Sequence, residues 1–411
     1  MATPTHLKKI SLDRLCIGMH IIELDIPWIE SPFMRHHKTI KATKEIDALR
    51  KAGVKKLIID TNKGTGLSEP VVESPKQPKP KDKKDQAPEP SKRLEKTSLN
   101  NEMQAAQAIR GKVKKAVENL HEAVGKRLPI EEAELTPLID QTLESLERNN
   151  QALMSLVHLS RAAQKVADHT FSVFCLSLNI ARKLNLSAED QHDLGLAALL
   201  HETGWTQLPL NLMGKRTKYT ELERKLVNKH PELAVSLLKD MDFNETVLTA
   251  IKQHHEAGDG SGYPEGLKND ALHEISRVLI IADAYDESIN QLNDRPGMMP
   301  TNALRDLFIQ SDKGIFEQKI VASFIDVLGI YPVSSAVKLS SSEKAVVLEV
   351  TPGKHLLPVV EVHYDAKGKV LPSPFVQDLS SLSGNSAKTI ESILDPNNPD
   401  DDPSRRLYLD L

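Results

Sequence analysis

Between residues 8 and 62 the apolar positions fall in strand-like runs, KKISLDRLCIGMHIIELD and VKKLIID, on either side of a short helical stretch. Thr43 stands where it can cap that helix, Ile46 and Leu49 give it an apolar edge, and Gly53 can end it before a strand over 54–60. The pattern predicts a small α/β module over residues 5–65. Its His36-His37 pair sits among Arg35, Lys38 and Lys41 with no carboxylate or cysteine beside it, and reads as plain surface histidines.

The period is then lost. From 66 to 100 prolines alternate with Lys, Glu, Gln and Asp and almost nothing apolar remains, which predicts a flexible linker. A helical period follows from Glu102, with Ile109, Val113, Ala116, Val117, Leu120 and Val124 on one stripe. Thr136-Pro137 reads as the start of a second helix carrying Ile139, Leu143 and Leu146. Ser187 with Asp190 and Thr220 with Glu223 have capping-box spacing, so further helices begin there and the helical region runs to about 330. Past Tyr331-Pro332 the pattern turns to short strands, AVKL, KAVVLEV and LLPVVEVHY, with turns at SSSE and TPGK; DAKGK can turn the last into VLP. The expectation is a mainly α chain: an α/β module, a linker, a helical domain over 101–330, a β extension over 331–380 and a mobile acidic tail over 381–411.

Composition narrows the function. The 411 residues carry 53 Lys+Arg against 57 Asp+Glu, a net charge of −4, so no bulk basic field attracts DNA, RNA or an anionic membrane. With 39% hydrophobic and 27% charged residues the chain reads as globular. Its two cysteines, Cys16 and Cys175, exclude a disulfide framework and fit a reducing cytoplasm. Apolar stretches such as 196–200 are far too short for a membrane span, and MATPTHLKKISLDRL lacks the apolar core of a secretory signal.

The informative chemistry lies in the helical region: His169, His201-Glu202, His230, His254-His255 and Asp283. Imidazoles and carboxylates together hold first-row metals such as Fe, Mn or Zn. His201 follows GLAALL, His254 follows TVLTAIKQ and Asp283 follows RVLIIA, so each is delivered by a segment that must be buried. A lone histidine on such a helix is most often a satisfied core residue; the metal reading rests on the set, and spacing alone leaves open whether the set converges. Directly after His254-His255, Gly258, Gly260 and Gly262 surround Asp259 and Ser261 in a loop whose backbone can approach a ligand closely, with Pro264 stiffening its end.

HHE followed by DGSGYP, at 254–256 and 259–264, resembles the signature of the HD-GYP subgroup of HD-domain metal-dependent phosphohydrolases. LLHETG, KHPE and RVLIIADAYD fall at the family's other landmarks in order, so the likeness runs from about 168 to 331. Residues 8–62 resemble the module often attached ahead of such domains. The resemblance implies an HD-type helical bundle that hydrolyses the bacterial messenger cyclic di-GMP to the linear dinucleotide or GMP, using hydroxide that bridges two divalent ions, Fe or Mn ahead of Zn. Carried over by position, the metal ligands are His169, His201, Glu202, His230, His254, His255 and Asp283. Among these His201, Glu202 and Asp283 are the catalytic group, with Glu202 as the bridging carboxylate. Gly262, Tyr263, Pro264 and Asp259 would shape the substrate side, with Arg277 and Arg295 as electrostatic or structural supports. Diguanylate cyclases or other signalling proteins are the implied partners. The helical stretch 102–148 reads as amphipathic cover for the bundle, with homodimerisation as its competing role.

The chain departs from the family pattern in informative places. HDxGK is here HETGW: Glu202 is one methylene longer, and Trp205 offers one N–H donor where a lysine brings charge. Ala257 replaces the arginine usual after HHE, Gly297-Met298-Met299 replaces basic residues, and Lys165 stands where three-metal members carry a glutamate. These changes predict slow turnover and two metals rather than three. They leave two competing readings, a cyclic di-GMP sensor or interaction scaffold without turnover, and a phosphohydrolase acting on another nucleotide.

Overall fold

The computed structural model describes residues 7–24, 38–63, 96–159, 165–212, 215, 217–290, 297–351 and 353–394. His36-His37, most of the expected linker, Arg295 and the acidic end of the chain lie outside them. The chain divides into two units, Met1–Ser91 and Lys92–Leu411.

In the first unit, strands β1 (Leu7–Ser11), β2 (His20–Leu24), β3 (Lys38–Thr39) and β4 (Lys56–Asp60) form one antiparallel sheet in the order β1-β4-β2-β3. Ile10 faces Leu57 and Ile21 faces Ile59 across it. With Leu12, Leu15, Met19, Ile40 and Leu49 they make the core against helix α1 (Thr43–Lys51). Thr43 is the first helical residue rather than the cap. The capping position is Ala42, whose side chain cannot accept, and the carboxylate of Glu45 reaches back to accept the Lys41 and Ala42 N–H groups at 2.6 and 3.2 Å, the return half of a capping box.

The second unit opens with helix α2 (Leu99–Gly125), where Ser98 Oγ accepts the Asn101 N–H, so it begins three residues before Glu102. Helix α3 (Glu132–Leu159) pairs with it through buried Glu102, which accepts from Arg148, Ser145 and Thr97. Thr136-Pro137 lies inside α3, correcting its expected start. Buried Leu135 holds the preceding turn against the bundle, and the Thr136 hydroxyl bonds back to Glu132 O instead of capping. A kink at Asn149 is pinned where its amide donates to Thr97 O.

The bundle continues with α4 (Val166–Leu184), α5 (Ala188–Leu200), α6 (Glu221–Val227), α7 (His230–Leu238), α8 (Glu245–Gln253), α9 (Glu274–Ile289), α10 (Pro300–Asp312) and α11 (Gln318–Leu328). Helix α4 is buried from Thr170 through Ala181 and is the central element. Phe171 and Phe174 on it, Tyr285 on α9 and Phe324 on α11 are the largest fully buried side chains of the bundle. Ser187 and Thr220 cap α5 and α6 at the expected positions. No helix among the described residues is long and apolar enough to cross a membrane.

Strands β5 (Ala336–Leu339), β6 (Lys344–Glu349), β7 (Val359–Tyr364), β8 (Val370–Asp378) and β9 (Ile390–Ile393) close the chain as an antiparallel sheet in the order β8-β7-β6-β5-β9. Strand β9 corrects the expected tail. Ile390 pairs with Leu339 and Ile393 with Val337, so the backbone to at least Ile393 is part of the sheet.

Candidate metal centre

Each expected ligand emerges where a buried helix begins or ends, or from a buried helix face. His169 lies in the first turn of α4, His201 and Glu202 follow α5, His230 opens α7, His254 and His255 follow α8, and Asp283 lies on the inner face of α9. Apolar runs before His201, His254 and Asp283 fix α5, α8 and α9 in the core, and His169 and His230 stand in the first turns of α4 and α7. After Glu202 the chain tightens into a 3₁₀ turn, Thr203–Gln207. Gly204 makes that turn fit, since a Cβ there would stand 1.9 Å from His230 O.

The seven side chains converge as two overlapping groups. His169, His201, Glu202 and Asp283 form one, and Glu202, His230, His254 and His255 the other; within each, the ligand atoms lie within 4.8 Å of one another. Glu202 is common to both, the place expected of a bridging carboxylate. A further triad of His255, Asp283 and exposed Glu287 reuses two of the same ligands.

Hydrogen bonds fix which ring nitrogens face inward. His201, His230 and His254 each direct Nδ1 at the carbonyl three residues earlier, Ala198 O, Val227 O and Ile251 O. A carbonyl only accepts, so each Nδ1 carries the hydrogen and each neutral Nε2 is a bare lone pair. His230 Nε2 then meets His254 Nε2 at 3.0 Å, and His201 Nε2 meets His169 Nε2 at 3.2 Å. The two lone pairs of His230 and His254, held this close inside a protein, call for a cation between them, and the His201 lone pair faces His169, where a proton or a metal can fill the gap. Asp283 Oδ1 lacks a hydrogen-bond partner among the described residues, although His169 Nε2 lies 3.1 Å away. The donor set, two imidazole-rich groups bridged by a carboxylate, therefore fits divalent first-row metals.

Burial first, then the neighbouring histidines, hold His254 well below the ordinary imidazole range, and burial lowers His255 to about 4. Burial likewise lowers His201. At His169 burial opposes charge, yet the carboxylates of Asp283, Asp286 and Glu202 outweigh it and raise the pKa well above the ordinary value. Burial opposes ionisation of Glu202 too, but His169 and the other imidazoles hold it well below the carboxylate range. Without metal, a proton on His169 stands where a cation would.

The loop after His255 is built against the same rings. The ring of Tyr263 lies over that of His255 with centroids 4.8 Å apart, and its N–H donates to His255 O. Gly262 passes so close to residues 256–257 that a Cβ would fall 2.3 Å from Ala257 N. Asp259 Oδ1 accepts from the Ser261 N–H and hydroxyl, shaping the exposed end. Arg277 donates to Glu317 and to Leu272 O, which makes it a brace for α9 rather than a ligand contact. Trp205, at the lysine position of the family pattern, stacks on His230 with centroids 5.3 Å apart.

Two carboxylates that the sequence reading missed complete the arrangement. Asp286 Oδ2 accepts from His169 Nδ1 at 2.7 Å and so aims Nε2 at the centre. Its signal was the one-turn spacing from Asp283 in DAYD. Buried Glu256, quoted in HHE but given no role, accepts the Glu265 and Leu267 N–H groups and staples the loop that carries Tyr263.

The sequence matches two known families and several named proteins. Residues 135–319 match the HD domain family, and residues 7–135 match a domain of unknown function, DUF3391. A protein of Pseudomonas aeruginosa named as a cyclic di-GMP phosphodiesterase is 30% identical over 367 residues, 89% of this chain and 87% of that protein. A 3′3′-cGAMP-specific phosphodiesterase of Vibrio cholerae is 29% identical over 45% of this chain and 42% of its own length. A cyclic di-GMP phosphodiesterase response regulator of Xanthomonas campestris is 29% identical over 36% of this chain and 39% of its own length. The chain belongs to the HD-GYP family of HD-domain proteins. Its metal-dependent domain follows a DUF3391 module.

Proposed function

We propose that this chain is a metal-dependent phosphodiesterase that opens cyclic di-GMP to the linear dinucleotide or GMP, with two divalent cations, iron or manganese ahead of zinc. The observation that carries it is the pair of ligand groups meeting at Glu202. The Pseudomonas aeruginosa phosphodiesterase that aligns with 89% of this chain supports cyclic di-GMP as the substrate.

His169, His201 and Asp283 would hold one cation, His230, His254 and His255 the other, and Glu202 would touch both. Two divalent cations held by these residues would lower the pKa of water and neutralise charge on the phosphoryl oxygens. The chain's own part is preorganisation. Carbonyls fix three ring tautomers, Asp286 fixes a fourth ring, and the depressed pKa values of His201, His254 and His255 keep those rings neutral and ready to ligate. Tyr263 lies against the His255 ring, and the loop it shares with Gly262, Pro264 and Asp259 would meet the dinucleotide.

Trp205 favours one competing reading, a sensor that binds without turnover, because an uncharged indole stacked on His230 stands at the lysine position of the family pattern. The test is incubation of the metal-loaded full chain with cyclic di-GMP and, in parallel, 3′3′-cGAMP, with products separated by chromatography. Linear dinucleotide from cyclic di-GMP, abolished by His254→Ala or Asp283→Ala, is the expected result. Binding without product would establish the sensor, and faster consumption of 3′3′-cGAMP would overturn the substrate assignment.

A further inference from the structure

Helix α2 belongs by sequence to the DUF3391 match and ends before the HD match begins at residue 135. It nonetheless packs against α3, α4 and the turn that carries Trp205. Arg110, Lys114, Val117 and His121 follow at helical spacings of four, three and four, so they share one face. Val117 is buried on that face. Arg110 Nη2 and Lys114 Nζ reach a single oxygen, Asp168 Oδ1, at 3.1 and 2.8 Å. His121 lies within electrostatic reach of Glu202.

Asp168 is only 2% exposed and directly precedes the ligand His169. Its other oxygen has no hydrogen-bond partner among the described residues. A carboxylate stays inside a protein only while charged or hydrogen-bonding partners compensate it. At the start of α4 the Asp168 and His169 N–H groups donate to Lys165 O, and the Lys165 side chain makes no capping bond. Among the described residues, the side-chain contacts that orient this turn include the Arg110 and Lys114 cations on Asp168 and the Asp286 carboxylate on His169.

We propose that Arg110 and Lys114 are positioning residues of the metal centre. By compensating Asp168 inside the bundle they fix the first turn of α4, and with it the direction of His169 Nε2. The helix contributed by the DUF3391 match thereby completes the metal site of the HD domain. This role rests on the two-cation reading above.

The test uses the full chain, stripped with chelator and reloaded with Mn(II), with affinity measured by chelator competition and pairing of the ions by electron paramagnetic resonance. Arg110→Gln and Lys114→Gln should each weaken the more loosely held ion by about 10–100-fold, the range for groups that orient metal ligands. They should lower kcat at nearly unchanged KM, and Arg110→Lys should restore the affinity. Lys114→Gln keeps Arg110 on Asp168 and serves if the arginine variant fails to fold. Wild-type Mn affinity in both variants, with only thermal stability lost, would overturn the positioning role. A raised KM with unchanged Mn affinity would overturn it too, placing the two cations on substrate phosphate. A wild-type chain that takes up no manganese would overturn the metal reading itself; normal loading of wild type and variants alike would overturn only the role of α2.

Discussion

Asp286→Ala isolates the contribution of a residue that touches no cation yet aims one ligand. Its carboxylate is 1% exposed and accepts from His169 Nδ1 at 2.7 Å, a charge-assisted bond of about 1.5–3 kcal/mol. Part of that energy already orients His169 without metal, so only the remainder appears in metal affinity. A 10–100-fold loss, about 1.4–2.8 kcal/mol, is the expected share. Protonation masks some of it near neutral pH. Removing one of three carboxylates also lowers the pKa of His169, which weakens the proton that competes with metal. The loss should therefore be larger at about pH 9 than at about pH 7. Asp286→Asn keeps an acceptor and should lose less. Chelator competition with Mn(II) at both pH values is the assay; affinity within about twofold of wild type at the higher pH would remove Asp286 from the centre.

Metal-free stability should change with pH in two windows. The raised pKa of His169 contributes stability fully present below about 6.5 and lost as pH rises through its folded value, whereas depressed His255 contributes above about 6.5 and is lost as pH falls toward about 4. Thermal unfolding of the stripped protein across pH reads both. Metal uptake near neutral pH should expel about one proton, from His169, and calorimetry in buffers of different ionisation enthalpy that finds none would contradict the assignment. Trp205→Lys should raise kcat about a hundredfold or more by returning a charge to the phosphate side, at some cost in stability from the lost stack on His230; unchanged kcat would show that the tryptophan is not what limits the rate. Gly204→Ala puts a methyl 1.9 Å from His230 O and should destabilise the fold by about 1–3 kcal/mol while weakening the ion held by His230; a stable variant with full metal would mean the turn shifts freely.

His201, His254 and Asp283 each follow a strongly apolar helical run, a local signal readable without the fold, whereas the full ligand set came from the family resemblance because spacing does not show convergence. Supporting residues carried no such mark. Asp286 matters through a ring on another helix, and Arg110 and Lys114 act across α2 and α4, pairings that only packing creates. Helix boundaries erred at two points: buried Leu135 extended α3 ahead of Pro137, and α1 begins at Thr43 itself, with Glu45 reaching back to the Lys41 and Ala42 N–H groups. Strand β9 was missed because its four residues, IESI, sit in a polar stretch and gain order from pairing with β5.

Anomalous X-ray scattering from crystals of the manganese-loaded full chain bears most directly on the centre. Two peaks about 3.5–4 Å apart, with Glu202 between them and His230 and His169 on opposite sides, are the expected result. A single peak, or two that do not share Glu202, would contradict it.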